Sequence, residues 1–272
     1  MRLALLSSEA AIEKRLGRAK KVLAASGRLF DVHDDVALQR RLPTVQRALY
    51  LLFNEGYHGA SAESSVRVTL CREALRLTGM LLEHPSCAVP STRAVAALMC
   101  LHAARMPARL DVHGDLVPLR EQDRSLWDAS LTAEGMALLD AAATGETLSE
   151  YHLESAIAAL HATATSLKET RWDEIIGLYD LLMRLRPSPV VALSRAIAVG
   201  ERDGPEAGLL AVRAIDHDGR LGRAPFYEAA LGDLEWRAGR VEAAQGHLRT
   251  ALARARNESE RRFFERRLRD CR

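Results

Sequence analysis

Residues 231–251 read Leu-Gly-Asp-Leu-Glu-Trp-Arg-Ala-Gly-Arg-Val-Glu-Ala-Ala-Gln-Gly-His-Leu-Arg-Thr-Ala, and the spacing of small residues within them decides the fold. Leu231, Gly232, Gly239, Val241, Ala244, Leu248 and Ala251 match a helical hairpin of roughly 34 residues in which small side chains mark the helix–helix contact. About 36 residues earlier, Ala196, Val199, Gly208, Val212 and Ile215 take the equivalent places, a second copy of the unit. Before that, Ile175, Tyr179 and Leu182, followed by Pro187, match a second helix and its closing proline. A hairpin of this kind cannot bury its apolar face alone, so the copies are expected to stack, with Glu258–Asp270 as a polar capping helix. Glu235 departs from the pattern, standing where a large apolar residue is usual.

Outward from the repeats, apolar residues recur at helical spacing and no alternating strand pattern is found. Val45, Ala48, Leu49, Leu52 and Phe53 form a stripe ended by Gly56; Val66, Leu70, Ala74, Leu77 and Leu81 form another ended by His84-Pro85. Val95, Leu98, Met99 and His102 form a third, before Pro107. Leu110–Leu119, with Gly114 and Pro118, reads as a loop. Helices are predicted at Asp123–Ala143, Glu150–Ser166 and Trp172–Leu185. The fold class is therefore all-α, a helical bundle leading into a tetratricopeptide-like α-solenoid. The expected divisions are 1–26, 27–150 and 151–272.

Composition excludes several classes. The 272 residues are 48% hydrophobic and 27% charged, ordinary values for a globular chain. No apolar run approaches the roughly 20 residues of a membrane span. Cys71, Cys87, Cys100 and Cys271 show no paired-cysteine spacing, which points to a reducing, cytoplasmic setting. The formal charge of +2 is an average. Met1–Val22 and Arg254–Arg272 each carry about +4, so the residues between them carry about −6. At the C-terminal end these arginines are expected to form the solvated face of the cap.

Candidate chemistry is sparse. His84/Cys87 and Cys100/His102 supply two ligands each, short of a zinc site, and His152 and His161 are too far apart on one helix to share an ion. No phosphate-binding glycine loop, dinucleotide fingerprint or catalytic-serine elbow occurs, so neither an enzymatic activity nor a cofactor is implied. His33-Asp34-Asp35 reads as a helix cap. Asn54, Glu55 and Tyr57, and Gln122, Asp123, Arg124, Trp127 and Asp128, form two polar-aromatic clusters that suit a partner or regulatory surface, or a pocket. Asp123 is also expected to cap a helix. Near the N-terminus, Ser7–Leu23 predicts a basic amphipathic helix with Ile12, Leu16 and Ala19 on one face. Lys14, Arg15, Arg18 and Lys21 occupy the others. Short residues at the start and cations behind them suit a helix whose tip enters a DNA groove; the alternative is a basic helix docked on the repeats.

Five ordered motifs carry a resemblance that spans nearly the whole chain. They are Arg15-Leu-Gly-Arg-Ala-Lys20, Ala48-Leu-Tyr-Leu-Leu-Phe-Asn-Glu-Gly-Tyr57, Ala97-Leu-Met-Cys-Leu-His-Ala-Ala-Arg105, Gln122-Asp-Arg-Ser-Leu-Trp-Asp128 and Pro187-Ser-Pro-Val-Val-Ala-Leu-Ser-Arg-Ala196. With these the chain resembles extracytoplasmic-function sigma factors that carry a C-terminal tetratricopeptide-like extension. The resemblance implies that Ser8–Arg18 correspond to the second helix of region 4. Ser8, Ala10 and Ala11 would then face base edges or backbone, and Lys14, Arg15 and Arg18 would meet phosphate. Glu13, Leu126 and Ser194 depart from residues frequent in that family. The chain is expected to begin inside region 4, without region 2. The resemblance further implies RNA polymerase core and promoter DNA as partners of the complete protein, weak binding of both by this chain alone, and a possible protein or peptide partner on the repeats, with no membrane role.

Overall fold

A computed structural model of the chain describes residues 9–25, 35–58, 66–215 and 221–271. Among these are twelve α-helices: α1 (Glu9–Ala25), α2 (Asp35–Tyr57), α3 (Val68–Glu83), α4 (Pro90–Ala104), α5 (Ala129–Ala142), α6 (Glu150–Thr163), α7 (Trp172–Leu185), α8 (Pro189–Asp203), α9 (Pro205–Arg213), α10 (Pro225–Arg237), α11 (Val241–Ala253) and α12 (Glu258–Asp270). Proline at the first position of α4, α8, α9 and α10 presets the backbone angle and removes a donor that would have no partner. Among the described residues the fold is all-α, and no helix is long and apolar enough to cross a membrane.

Helix α4 is the axis of the first half. Val95, Leu98, Met99 and Leu101 are fully enclosed there, by Phe53 and Tyr57 of α2, Cys71 and Ala74 of α3, Ala142 of α5 and Tyr151 of α6. A helix apolar on every side has to be central. Each large side chain it buries contributes about 1.5–3 kcal/mol. Helix α6 serves two cores: Tyr151, Ala158 and Ala159 face α4, while Ile157 and Leu160 pack on Ile175 and Ile176 of α7 and Ala198 of α8. The expected division at 150/151 thus falls at the start of a shared helix.

From α7 onward the helices stack in chain order, as the repeat spacing predicts. In the α10–α11 hairpin Gly232 lies against Leu248 and Ala244, the small-residue contact read from 231–251. Gly239 turns that hairpin at φ +79°, a left-handed conformation that suits glycine. Between α8 and α9 the backbones meet at Gly200 and Gly208, where a methyl group on Gly208 would lie 2.8 Å from Gly200 Cα. The unusual Glu235 is buried, and the guanidinium groups of Arg213 and Arg240 hold it, one from α9 and one from the turn before α11.

Three expectations are corrected. The helix predicted to begin at Asp123 begins at Ala129, because Asp128 caps it by accepting from Leu131 N, while Asp123 caps a separate 3₁₀ turn at Arg124–Leu126. The arginines of α12 are only in part a solvated face: Arg261 and Arg269 are exposed, but Arg262, Arg266 and Arg267 are paired with acids of the 111–121 loop and of α10. Helix α1 shows no docked face among its described side chains, which are all exposed, Leu16 and Val22 included.

Gly208→Ala is expected to destabilise the protein by about 1–3 kcal/mol, the overpacking penalty exceeding the ~1 kcal/mol that alanine gains in a helix. Gly246→Ala, on the open face of α11 with nothing within 4 Å, is expected to stabilise by up to ~1 kcal/mol. Urea unfolding of both variants measures the contrast; equal shifts would remove the close approach as the explanation.

Candidate functional site

Helices α2, α4 and α6 end at Tyr57, Ala104 and Thr163, and their last turns converge. The final carbonyls of a helix lack intrahelical donors and must be met from elsewhere. Here the segment 105–128, running between α4 and α5, meets them. Asp128 N donates to Ala104 O at 2.8 Å, and Arg109 Nη2 to Tyr57 O at 3.2 Å. Arg124 Nη1 donates to His161 O at 2.7 Å and to Ala164 O at 2.5 Å. Cations at helix C-termini also meet the negative end of the dipole.

Aromatic rings hold these cations in place. The Arg105 and Arg124 guanidinium carbons lie 5.3 and 5.0 Å from the Trp127 ring centroid, and that of Arg109 lies 3.9 Å from the centroid of Tyr57. Such contacts contribute about 0.5–2 kcal/mol each. Tyr57 also contacts His102 at 5.2 Å and the exposed His58 at 4.6 Å between ring centroids. His161 stands edge-on to Trp172. Gln122, buried, donates from Nε2 to Val117 O at 3.0 Å and accepts from Arg105 at 3.5 Å.

The junction is out of charge balance. Three helix ends supply together about one and a half negative charges, half of what three guanidinium groups carry. Among the described residues no carboxylate pairs with Arg105, Arg109 or Arg124. The imidazoles register the enclosure first and the excess second: burial, and then Arg105 and Arg109, push His102 down to about 3, and burial with Arg105 and Arg124 does the same to His161. Both rings are neutral at pH 7. Several buried polar atoms here have no partner: Arg105 Nε, Arg109 Nε, Arg124 Nη2, Trp127 Nε1, Tyr57 Oη and the Nδ1 atoms of His102 and His161.

The segment that carries these groups is tied down from the far end of the chain. Asp111 Oδ1 accepts from the backbone N–H groups of His113 and Asp115, shaping a tight turn closed by a bridge between Leu110 and Leu116. Arg266 donates to Asp111 Oδ2 at 3.1 Å and to Leu116 O at 2.7 Å. Arg267, 11% exposed, donates to Glu121 at 2.7 Å and to Asp233 at 2.8 Å. Arg120 reaches from the loop to Glu201 of α8 at 3.2 Å. Beneath this network runs an apolar groove lined by Leu167, Trp172, Ile197, Phe226, Trp236 and Phe263, with a volume of about 270 Å³.

Of the residues predicted as a partner or regulatory surface, the structure brings Tyr57, Gln122, Arg124 and Trp127 together. It does not bring in the others. Asp123 and Asp128 are exposed caps, Glu55 pairs with Arg67 at 3.1 Å, and Asn54 bonds the Tyr50 hydroxyl. On α1, Lys14, Arg15 and Arg18 are exposed; Ala10 and Ala11 lie within the helix, and Ser8 lies outside the described residues. Among the described residues no group of three or more His, Cys, Asp or Glu is placed to hold a metal ion. Sequence reasoning missed Arg105, Arg109, His102 and His161 as site members. The one local signal for Arg105, Arg109 and His102 is a His-x-x-Arg-x-x-x-Arg run at 102–109 with no acid inside it.

Fold and site together define an all-α helical-repeat protein organised around a cationic, aromatic-lined junction. Residues 41–143, which hold every junction side chain described above except His161 and Trp172, match a family of unknown function, DUF6596. The chain is 42% identical over 258 residues to an uncharacterized protein of Rhizobium meliloti (strain 1021), a match that covers 94% of this chain and 60% of that protein. The chain therefore spans about three fifths of the relative's length. No solved structure matches it.

Replacing both Arg266 and Arg267 by alanine is expected to free the 109–121 loop without unfolding the helices. Charge-assisted hydrogen bonds contribute about 1.5–3 kcal/mol each, so amide exchange in the loop should quicken by tenfold or more. Exchange mapped by mass spectrometry reads this directly. Unchanged loop exchange would show that α12 does not hold the loop.

Proposed function

We propose that the chain is the C-terminal regulatory part of an alternative sigma factor for bacterial transcription initiation. In this reading α1 is the remnant of a DNA-reading helix, and the helical-repeat extension modulates activity or binds a partner in the cytoplasm. The observation that carries the reading is α1 itself. Lys14, Arg15 and Arg18 are exposed and open to phosphate, and Leu16 and Val22 are uncovered. Along the described part of a basic amphipathic helix, an uncovered Leu16 is a side chain short of a packing partner. The first helix of region 4 would be such a partner. The five ordered motifs support the same reading, and the Rhizobium relative is long enough to carry further regions.

Alone, the chain is expected to bind DNA weakly and without sequence preference, because a few phosphate contacts give only salt-sensitive affinity. No transcription is expected from it by itself. The reading is tested by expressing the chain with the in-frame sequence upstream of Met1 and measuring core-polymerase binding and promoter-directed transcription. Both are expected from the extended protein. Replacing Lys14, Arg15 and Arg18 by alanine should then weaken promoter binding and lower its salt dependence by up to about three phosphate contacts. An extended protein that neither binds core polymerase nor directs transcription would overturn the proposal.

A second reading, a free-standing tetratricopeptide-like adaptor, is favoured by the apolar groove at Trp172, Phe226 and Trp236, which suits a peptide side chain. Peptide binding by a protein that ignores polymerase even when extended would select it.

A further inference from the structure

Four of the unpartnered atoms at the junction share one chemical character. Arg105 Nε, Arg109 Nε, Arg124 Nη2 and Trp127 Nε1 are donors that can never accept, and each is buried without an acceptor. Leaving one such group unmet costs about 1–3 kcal/mol, so several in one place call for a common explanation. They sit around the aromatic rings of Trp127 and Tyr57, over which the guanidinium groups lie, in a junction where cations outnumber the compensation that the helix ends offer. Among the described residues the acceptors seen near these donors are already engaged, the carbonyls of Tyr57, His161 and Ala164 by Arg109 and Arg124 and Gln122 by Arg105, while the unpartnered Nδ1 atoms of His102 and His161 and the Tyr57 hydroxyl are paired with none of them. A further protein carboxylate would have balanced the charge, and among the described residues none is placed there.

We propose that the junction of α2, α4 and α6 binds the oxyanion of a small molecule, a carboxylate or a phosphate group, with Arg105, Arg109, Arg124 and Trp127 as its donors. An acceptor-only group with several lone pairs is the complement of a donor-only cluster. The enclosure of the donor atoms favours a small ligand over an exposed acidic segment of another protein. Tyr57 Oη can add a donor, and the faces of Tyr57 and Trp127 offer stacking area to whatever carries the anion. Because Tyr57 ends α2, Arg105 follows α4 and Arg124 spans to the end of α6, an anion held by all of them would tie three helix ends together. The site lies in this chain alone, so the proposal stands or falls apart from any reading of α1.

The full chain is to be titrated calorimetrically with inorganic phosphate in one arm and succinate in another, against sodium chloride of equal ionic strength at pH 7.5. Saturable binding near one equivalent is expected in at least one arm, and the responding arm identifies the anion class. Arg105→Gln is expected to weaken it at least tenfold. Trp127→Phe keeps the stacked ring and removes only the indole N–H, and is expected to weaken binding several-fold; it carries the test should Arg105→Gln fail to fold. Arg249→Gln, on an exposed face of α11, should change nothing. No saturable binding in either arm, or binding that Trp127→Phe and Arg105→Gln leave unchanged, would overturn the proposal.

Discussion

Three helices of this protein end at the same point, and the carbonyls of their last turns must be met there. That requirement explains the segment between α4 and α5, which is too long and too polar to be a mere connection. Its backbone caps α4 through Asp128, and its side chains cap α2 and α6 through Arg109 and Arg124. The aromatic residues follow from the cations, since Trp127 and Tyr57 give the guanidinium groups faces to lie on in a place short of carboxylates. The resulting junction is stable enough to be built and yet carries more positive charge than the helix dipoles offset.

The second half of the chain serves the same arrangement from a distance. Stacked hairpins carry α12 round to the 111–121 loop, where Arg262, Arg266 and Arg267 close on Asp111, Asp115 and Glu121. Partly buried ion pairs of this kind fix register more than they add stability. Here they fix the position of the segment that carries Gln122, Arg124 and Trp127. A ligand at the junction and a partner in the groove at Trp172 and Trp236 would therefore act on one connected unit, with Arg120 and Glu201 between them.

Much of the fold is legible in the sequence because its signals are local. Helix α7 is read to the residue from Trp172 to Leu185, since Pro187 and Pro189 punctuate the chain just beyond it, and the contact of Gly232 with Ala244 and Leu248 is written in the repeat spacing. The start of α5 is misread because Asp123 and Asp128 are both good caps, and only packing decides which one opens the long helix. The α12 clamp is not legible at all: its partners lie roughly 150 residues away, and a run of arginines looks the same whether solvated or paired. The site is half legible. Tyr57, Gln122, Arg124 and Trp127 stand out as polar-aromatic clusters, whereas Arg105 and Arg109 become conspicuous only once the absence of a facing carboxylate is known.

The enclosed, positively charged junction is the centre of this account, and it acts on two imidazoles, through burial first and the arginines second. Nuclear magnetic resonance titration of His102 and His161 in the full chain measures it. With burial first and Arg105, Arg109 and Arg124 adding to it, both rings are expected to stay neutral from pH 7 down to at least pH 4, well below the ordinary histidine value of about 6.5. Titration of either ring near 6.5 in the folded protein would contradict the account, because it would mean that the junction is neither enclosed nor positively charged.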